Sequence, residues 1–407
     1  MKEYDLIIVG GGASGLAAAL SAANKYKEIR ILIIEQLARV GKKILVTGNG
    51  RCNLTNLNAE NHSYRNSEFA SNALNKYNPG KVIGFFNSLG LETYTDTAGR
   101  VYPRSNSATS VLDCLRYAVM SRNVEIITEE KINKIIREDK AFILNDSYKA
   151  GKVIIACGGK ASPAQGSDGS GYVLAEKTGH RITSLVPSLV PLNSKPDLVK
   201  QVKGLRAADV RLLAEGEYND AVSSGEILFT ENGISGIAAM ELASFCEREL
   251  RKGNEPLLHI DFLPEFDFES LKKKISGLIE IKRGQPMDTF LTGFFPKQIG
   301  IMILKNAELY SPGLNIDIMS EGMIENAVQS IKDFTLPVTG TKGFQNAQVT
   351  SGGVDVRDID SETMMSVVCK NLYFCGEITD VDGGCGGYNL QWAFASGLLA
   401  GELNDKN

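Results

Sequence analysis

The first thirty-six residues, MKEYDLIIVGGGASGLAAALSAANKYKEIRILIIEQ, constrain the fold more than any other stretch of the chain. An apolar run, Leu6-Ile7-Ile8-Val9, stops abruptly at Gly10-Gly11-Gly12-Ala13-Ser14-Gly15, and an alanine-rich segment follows at once. Consecutive apolar residues bounded by glycine read as a strand buried on both faces, as parallel strands are. Leu16–Asn24 then reads as a helix and Ile31–Ile34 as a second buried strand. Strand, helix and strand in that order cross over right-handed and leave the strands parallel. The chain therefore begins a doubly wound α/β sheet.

Each glycine of the turn has a physical task. Gly10 allows the tight turn, Gly12 lets the backbone approach a pyrophosphate, and Gly15 lets the helix press against the strand. The helix that opens at Ala13 and Ser14 offers unpaired N–H groups and a positive dipole end to an anion. Glu35 follows the second strand, where a carboxylate accepts from the hydroxyls of an adenosine ribose and repels a 2′-phosphate. FAD and NAD fit that arrangement and NADP does not. Two later segments choose FAD. Lys152–Gly159, KVIIACGG, resembles the strand ending in Ala-Thr-Gly-Gly of FAD-binding proteins, with Ala156 and Gly158 in place and Cys157 where threonine is usual. Asn371–Glu377, NLYFCGE, resembles their late strand ending in Gly-Asp or Gly-Glu, which returns the chain beneath the ribityl and pyrophosphate.

The rest of the chain divides by texture. Alternating apolar positions over Val124–Ile136 and Ala141–Leu144 suggest small antiparallel strands, before the buried run at Lys152. Pro187, Pro191 and Pro196 then interrupt the chain. Beyond them Val210–Ala214 and Glu226–Thr230 read as strands, and Phe268–Ile281, Gln298–Leu309 and Met323–Phe334 as amphipathic helices. We therefore expect a Rossmann-like FAD-binding domain with an antiparallel β-meander from residues 1–188 and 341–407. A β-barrel-like insert over 189–262 and a helical insert over 263–340 would interrupt it.

With 407 residues, 43% of them hydrophobic, the chain has room for two or three cores. A formal charge of −4 without a Lys/Arg-rich stripe argues against nucleic acid and anionic membranes as partners. Seven irregularly spaced cysteines fit a reducing cytoplasm. No leader-like segment and no bilayer-length apolar run are seen, so the protein is expected to stay where it is made.

Further strings carry a family resemblance. Besides GGGASG, they are Gly41–Asn56 (GKKILVTGNGRCNLTN), Asp168–Tyr172 (DGSGY), Val186–Leu192 (VPSLVPL) and GEITDVDGGCGGYNLQWAFASG from Gly376. The combination resembles the BaiN-like, aminoacetone-oxidase-like bacterial NAD(P)/FAD-dependent oxidoreductases over nearly the whole chain. More distantly it is similar to the fumarate reductase and succinate dehydrogenase flavoproteins. The resemblance implies that Gly12 to Gly15 meet the pyrophosphate and Glu35 the adenosine ribose. It places Lys43, Asn49, Arg51, Cys52 and Asn53 on the ribityl and flavin side, and has Ile132 meet adenine through its backbone. Gly376 and Glu377 would lie below the ribityl chain, and Gly386, Gly387, Tyr388 and Asn389 at the pyrimidine end of the flavin. A helix starting near Asn389 would there favour negative charge on the reduced ring.

Other candidates are weaker. Cys52 lacks the second cysteine of a redox pair and reads as a packing residue. His62, His180 and His259 are scattered without metal-ligand spacing, so no metal is expected. Ser235 reads as a helix start. Arg100, Arg104 and Arg206 are candidates for gripping an acidic substrate, and no catalytic acid or base is assigned. The expected activity is FAD-dependent hydride transfer to or from a small organic substrate. The alternatives are a flavin-fold binding or regulatory protein and a flavin-dependent RNA-modifying enzyme. No second G-x-G-x-x-G occurs in residues 57–340. NAD(P)H, if used, would therefore bind transiently, with oxygen as the other redox partner to consider.

Overall fold

The run Leu6–Val9 forms the buried half of an eight-residue strand, Lys2–Val9 (β1), in the computed structural model, which describes residues 1–60 and 63–404. His62 lies outside the described residues. β1 pairs in parallel with Ile31–Ile34 (β2) on one side and Tyr148–Ile155 on the other. Val9 registers with both Ile34 and Ile155, so the three strands end at one level, where Gly10, Glu35 and Ala156 follow. Leu372–Phe374 pairs in parallel with the second half of Tyr148–Ile155. The first half of that strand instead begins an antiparallel meander through Ala141–Leu144 to Ile135–Glu138.

The meander is narrower than expected. Glu125–Ile127, read as part of it, is a parallel edge strand beside β2. Alternating apolarity marks a half-exposed strand but says nothing of its direction, and an edge strand is half-exposed in either case.

Helix Ala13–Lys25 (α1) packs against the late helix Tyr388–Ala400 almost backbone to backbone. A Cβ on Gly397 would lie 2.4 Å from the Ser14 carbonyl oxygen, and one on Gly401 2.2 Å from that of Ala18. Ser21 Oγ also donates to the Leu398 carbonyl at 2.7 Å. Small residues are required on both helices, which accounts for the alanine-rich segment.

The chain divides into two units, Met1–Val186 with the stretch from Gln348 on, and Pro187–Ala347. The second unit holds a closed six-stranded barrel in the order Leu192–Ser194, Gly233–Ser235, Ala221–Thr230, Arg206–Ala214, Leu257–Asp261, Phe334–Thr341. Its last strand falls inside the stretch expected to be helical. The helix read over Met323–Phe334 is Glu321–Lys332, and Phe334 opens the strand whose inward Phe334, Leu336 and Val338 are buried. Helices and barrel therefore interleave in sequence rather than dividing at residue 262. Ser235 ends a barrel strand, and Gly236 caps the short helix that follows.

The two described histidines respond oppositely to pH. His180 is buried with Nε2 2.6 Å from Ser366 Oγ, which already accepts from the Val368 and Cys369 N–H groups. The serine proton therefore goes to Nε2, and Nδ1 carries the imidazole proton toward the Ala175 carbonyl. Burial lowers the His180 pKa below 6.5, so the unfolded chain takes up a proton first as pH falls. His259 sits between Asp333 (2.5 Å) and Glu215 (2.9 Å), whose bonds outweigh partial burial and raise its pKa. Its contribution is complete below pH 6.5 and is lost as pH rises through the raised value. Urea titrations should show stability of the first unit falling as pH drops just below 6.5, above the range where its carboxylates add their own loss, and His180→Gln should remove the slope in that window. An unchanged slope in the variant would contradict the assignment.

Candidate cofactor and active site

The glycines after β1 divide into those the protein itself requires and one it does not. A Cβ on Gly10 would lie 2.5 Å from the Ala156 carbonyl oxygen, on Gly11 2.4 Å from Val40 Cγ1, and on Gly15 2.0 Å from the Gly10 carbonyl oxygen. On Gly12 it would meet nothing within 4 Å. Gly12 is the N-cap of α1, provides no side-chain cap, and is followed by no acidic residue in the first turn. By contrast Asn78, Asp267 and Ser320 each cap their helices with a side-chain oxygen. The first-turn N–H groups and positive dipole of α1 thus face open space, which is the chemistry of an anion cradle. Ala13 opens the helix, and the buried Ser14 faces Gly376, where a Cβ would come within 2.5 Å of Ser14 Oγ.

Glu35 is fixed at the rim of this cradle. Gly11 N–H donates to Oε2 and Leu37 N–H to Oε1, both at 2.9 Å. Each oxygen keeps lone-pair capacity for a hydroxyl. The N–H groups of Glu129 and Glu130 bond the Leu37 and Glu35 carbonyls and bring the next segment alongside. Within it, the Ile132 side chain is buried and its peptide N–H and C=O make no hydrogen bond among the described residues. A cavity of about 370 Å³ opens beside Ile132, flanked by the Lys131–Asp168 ion pair at 2.6 Å.

Beyond the cradle, the chain returns as expected after Ala156, whose N–H bonds the Val9 carbonyl at 2.8 Å. Gly158 has φ +70°, and a Cβ there would meet Ser167 Oγ at 2.8 Å. Lys43 and Glu377 are brought together: Nζ lies 2.7 Å from Oε2 and also donates to the Ala161 carbonyl at 3.2 Å. Glu377 Oε1 accepts the Thr350 N–H at 2.9 Å, and Thr350 Oγ1 accepts from Lys160 and Ala161 N–H. Thr350 was not anticipated, although the glycine pair that follows it marks the segment.

The Gly-Asn-Gly loop is held in an unusual backbone. Gly48, Asn49 and Gly50 all have positive φ, as does Cys52. The Gly48 turn comes so close to Asn53 that a Cβ would lie 2.9 Å from its N. Arg51 lies over the Tyr102 ring at 4.5 Å, and Tyr102 stacks on Tyr94 at 5.8 Å. The Cys52 side chain is fully buried, and burial pushes its thiol up to about 12. Cys157 and Cys375 are likewise pushed to about 12 by burial, so these three thiols are protonated at neutral pH.

A second helix also begins at a glycine without a side-chain cap. Gly386 and Gly387 have φ +107° and +108°, and a Cβ on Gly387 would lie 2.5 Å from the Thr55 carbonyl oxygen. Gly387 caps Tyr388–Ala400 without a side-chain bond. The Asn389 side chain is engaged with Gly383 and Gly384, and the Tyr388 carbonyl accepts from Tyr64 OH. Gly397, level with Ser14, is nine residues along this helix, so the first residue of the helix stands about 13 Å along its axis from that level. Arg65 fixes the intervening loop by pairing with the buried Asp380 and Asp382, and Ser351 donates to Asp382 at 2.8 Å. Nothing local in the sequence announces those pairs.

The HI0933-like protein Rossmann domain matches residues 4–403. The chain belongs to the HI0933-like family. A 3-dehydro-bile acid delta(4,6)-reductase from Clostridium scindens is 38% identical over 400 residues, spanning 97% of each chain. A ribosomal RNA dihydrouridine synthase from Escherichia coli is 28% identical over 401 residues, covering 97% of this chain and 96% of that protein. In fold, the 3-ketosteroid delta1-dehydrogenase of Sterolibacterium denitrificans is similar with a TM-score of 0.52 and 13% identity over 99% of both chains. The HI0933-like chain is an oxidoreductase of the flavoprotein kind. Among its described residues, no helix is long and apolar enough to cross a membrane, and no group of three or more His, Cys, Asp or Glu could hold a metal ion.

Glu35→Gln turns one oxygen into a donor that faces either the Gly11 or the Leu37 N–H and removes acceptor capacity at the rim of the cradle. We expect FAD affinity to fall about tenfold in equilibrium titrations of the apoprotein. Wild-type affinity would remove Glu35 from the ribose.

Proposed function

We propose that this protein is an FAD-dependent reductase that adds a hydride and a proton across a carbon–carbon double bond conjugated to a carbonyl in a small organic substrate. One observation carries this reading. The two relatives are named for unlike substrates, a 3-dehydro-bile acid with delta(4,6) unsaturation and a uridine of ribosomal RNA. Read as chemistry, both names describe saturation of an alkene conjugated to a carbonyl. Family membership alongside a reductase also favours redox turnover over the binding or regulatory alternative.

The residues fit FAD. Gly12 and the α1 end suit the pyrophosphate, Glu35 the ribose, and the free Ile132 peptide the adenine edge. Gly376 and the Lys43–Glu377 pair would support the ribityl chain, and the loop Asn49–Asn53 the flavin side. The N-terminus of the helix at Tyr388 would face the pyrimidine edge. When bound, FAD supplies the hydride from its reduced ring. The helix end at Tyr388 would stabilise negative charge there, while the neutral Cys52, Cys157 and Cys375 contribute packing rather than nucleophiles.

Without a second dinucleotide fingerprint, NAD(P)H would act as a transient donor. Anaerobic stopped-flow mixing of the FAD-loaded protein with NADH or NADPH should bleach the flavin, and an α,β-unsaturated ketone should then restore its colour. Restoration by oxygen alone would indicate an oxidase instead. The relative named for ribosomal RNA favours a second reading, in which the alkene is a uracil within RNA. The net charge of −4 and lack of a basic stripe weigh against it. Dihydrouridine formed in ribosomal RNA, with no turnover of free enones, would establish that reading.

A further inference from the structure

The three arginines singled out from the sequence have different surroundings. Arg206, in the barrel unit, is exposed and paired with Glu226. Arg104 is exposed beyond the strand Arg100–Pro103. Arg100 alone stands against the glycine turn of the candidate site. Its Cγ and Cδ lie 3.6 Å from the point a Cβ on Gly386 would occupy, and Asn56, its partner in strand register, bonds the Gly386 carbonyl at 2.9 Å.

The Arg100 head group is oriented but not consumed. Its Nε is held by Asp96 Oδ2 at 2.8 Å, while Asp96 Oδ1 accepts the N–H groups of Ala98 and Arg100 itself. The two terminal nitrogens have no partner among the described residues. Tyr102 is two residues along the same strand face, and the Arg51 guanidinium rests on its ring. Arg51 makes no ion pair among the described residues, although its Nε donates to the Gly48 carbonyl at 3.4 Å and a terminal nitrogen to Tyr102 OH at 3.5 Å. Arg100 and the Arg51–Tyr102 pair thus belong to one strand face, and Asp96 is the one carboxylate bonded to either guanidinium among the described residues. The two unpartnered terminal nitrogens of Arg100 suit an anion with two oxygens in a plane.

We infer that Arg100, with Arg51 as the second charge, forms an anion subsite that holds a carboxylate of the substrate, so that the protein selects acidic enones. This rests on the reductase reading above and adds the substrate's charge to it. The test uses FAD-loaded protein and two compounds that differ only in charge, 4-oxopent-2-enoate and its methyl ester. Wild type should prefer the acid by about tenfold to a hundredfold in kcat/KM. Arg100→Gln should retain FAD and lose that preference, chiefly through KM for the acid, while Arg100→Lys should keep part of it. No preference in wild type, or a preference that survives in Arg100→Gln, would overturn the subsite.

If neither compound is reduced, the reductase reading fails and binding alone decides the subsite. Benzoate should then perturb the flavin absorption saturably and salt-sensitively in wild type, with at least about tenfold weaker binding in Arg100→Gln. Equal titrations for the two proteins, or no perturbation in wild type, would overturn it.

Discussion

Gly12→Val is expected to leave the protein folded and strip it of flavin. The substituted Cβ meets no protein atom within 4 Å, and the backbone at Gly12, φ −79° and ψ −169°, is extended and comfortable for a β-branched residue. The apoprotein should lose only on the order of 1 kcal/mol, from the poorer cap. The added methyls fall where the first-turn N–H groups of α1 would receive a pyrophosphate. FAD affinity should therefore drop on the order of a hundredfold or more, equivalent to about 3 kcal/mol. Flavin absorbance per mole of purified protein, read beside thermal unfolding of the apoprotein, checks both halves. Full flavin content would mean the cradle holds something else.

The same exchange at Gly397 should have the opposite character. There a Cβ would lie 2.4 Å from the Ser14 carbonyl oxygen and 3.0 Å from its Cα, and neither backbone atom can rotate away. Gly397→Val must push α1 and the late helix apart, at a cost of about 3 kcal/mol or more. Chemical denaturation of the apoprotein should show that loss, and flavin retention should fall with it because the N-terminus of α1 is displaced. Gly84→Ala provides the contrast. Gly84 is also helical but a Cβ there meets nothing within 4 Å, so the change should be neutral or stabilising by up to about 1 kcal/mol. A Gly397→Val protein as stable as wild type would remove the close helix contact from the account.

What could be read from the chain beforehand was what is written locally. The turn Gly10–Gly15 and Glu35 lie on one strand-helix-strand unit, so spacing alone put them in register. The Gly-Glu corner at Gly376 could be read from its own short strand. Phe334 reads as helical because it falls three residues after Ile331, although Asp333 between them ends the helix. The direction of Glu125–Ile127 depends on its neighbour β2, far away in sequence. Arg65 and Asp382 are separated by 317 positions, and neither carries a local pattern that names the other. Gly12 is set apart in both readings: the spacing alone gives it to the ligand, and the packing adds that a Cβ meets nothing there while one at Gly10, Gly11 or Gly15 collides with protein atoms.

The strand Tyr148–Ile155 has a consequence for how the molecule is made. Its second half pairs with Leu372–Phe374, and Lys43 meets Glu377 across 334 positions, so the C-terminal stretch completes what the N-terminal residues begin. At ordinary translation rates the ribosome needs roughly ten to forty seconds to travel from one of those strands to the other. Throughout that interval the growing chain presents an unpaired apolar strand edge and a half-built nucleotide cleft. Cofactor capture is therefore deferred until synthesis is nearly finished, and chaperone demand should be greatest while the barrel is being translated.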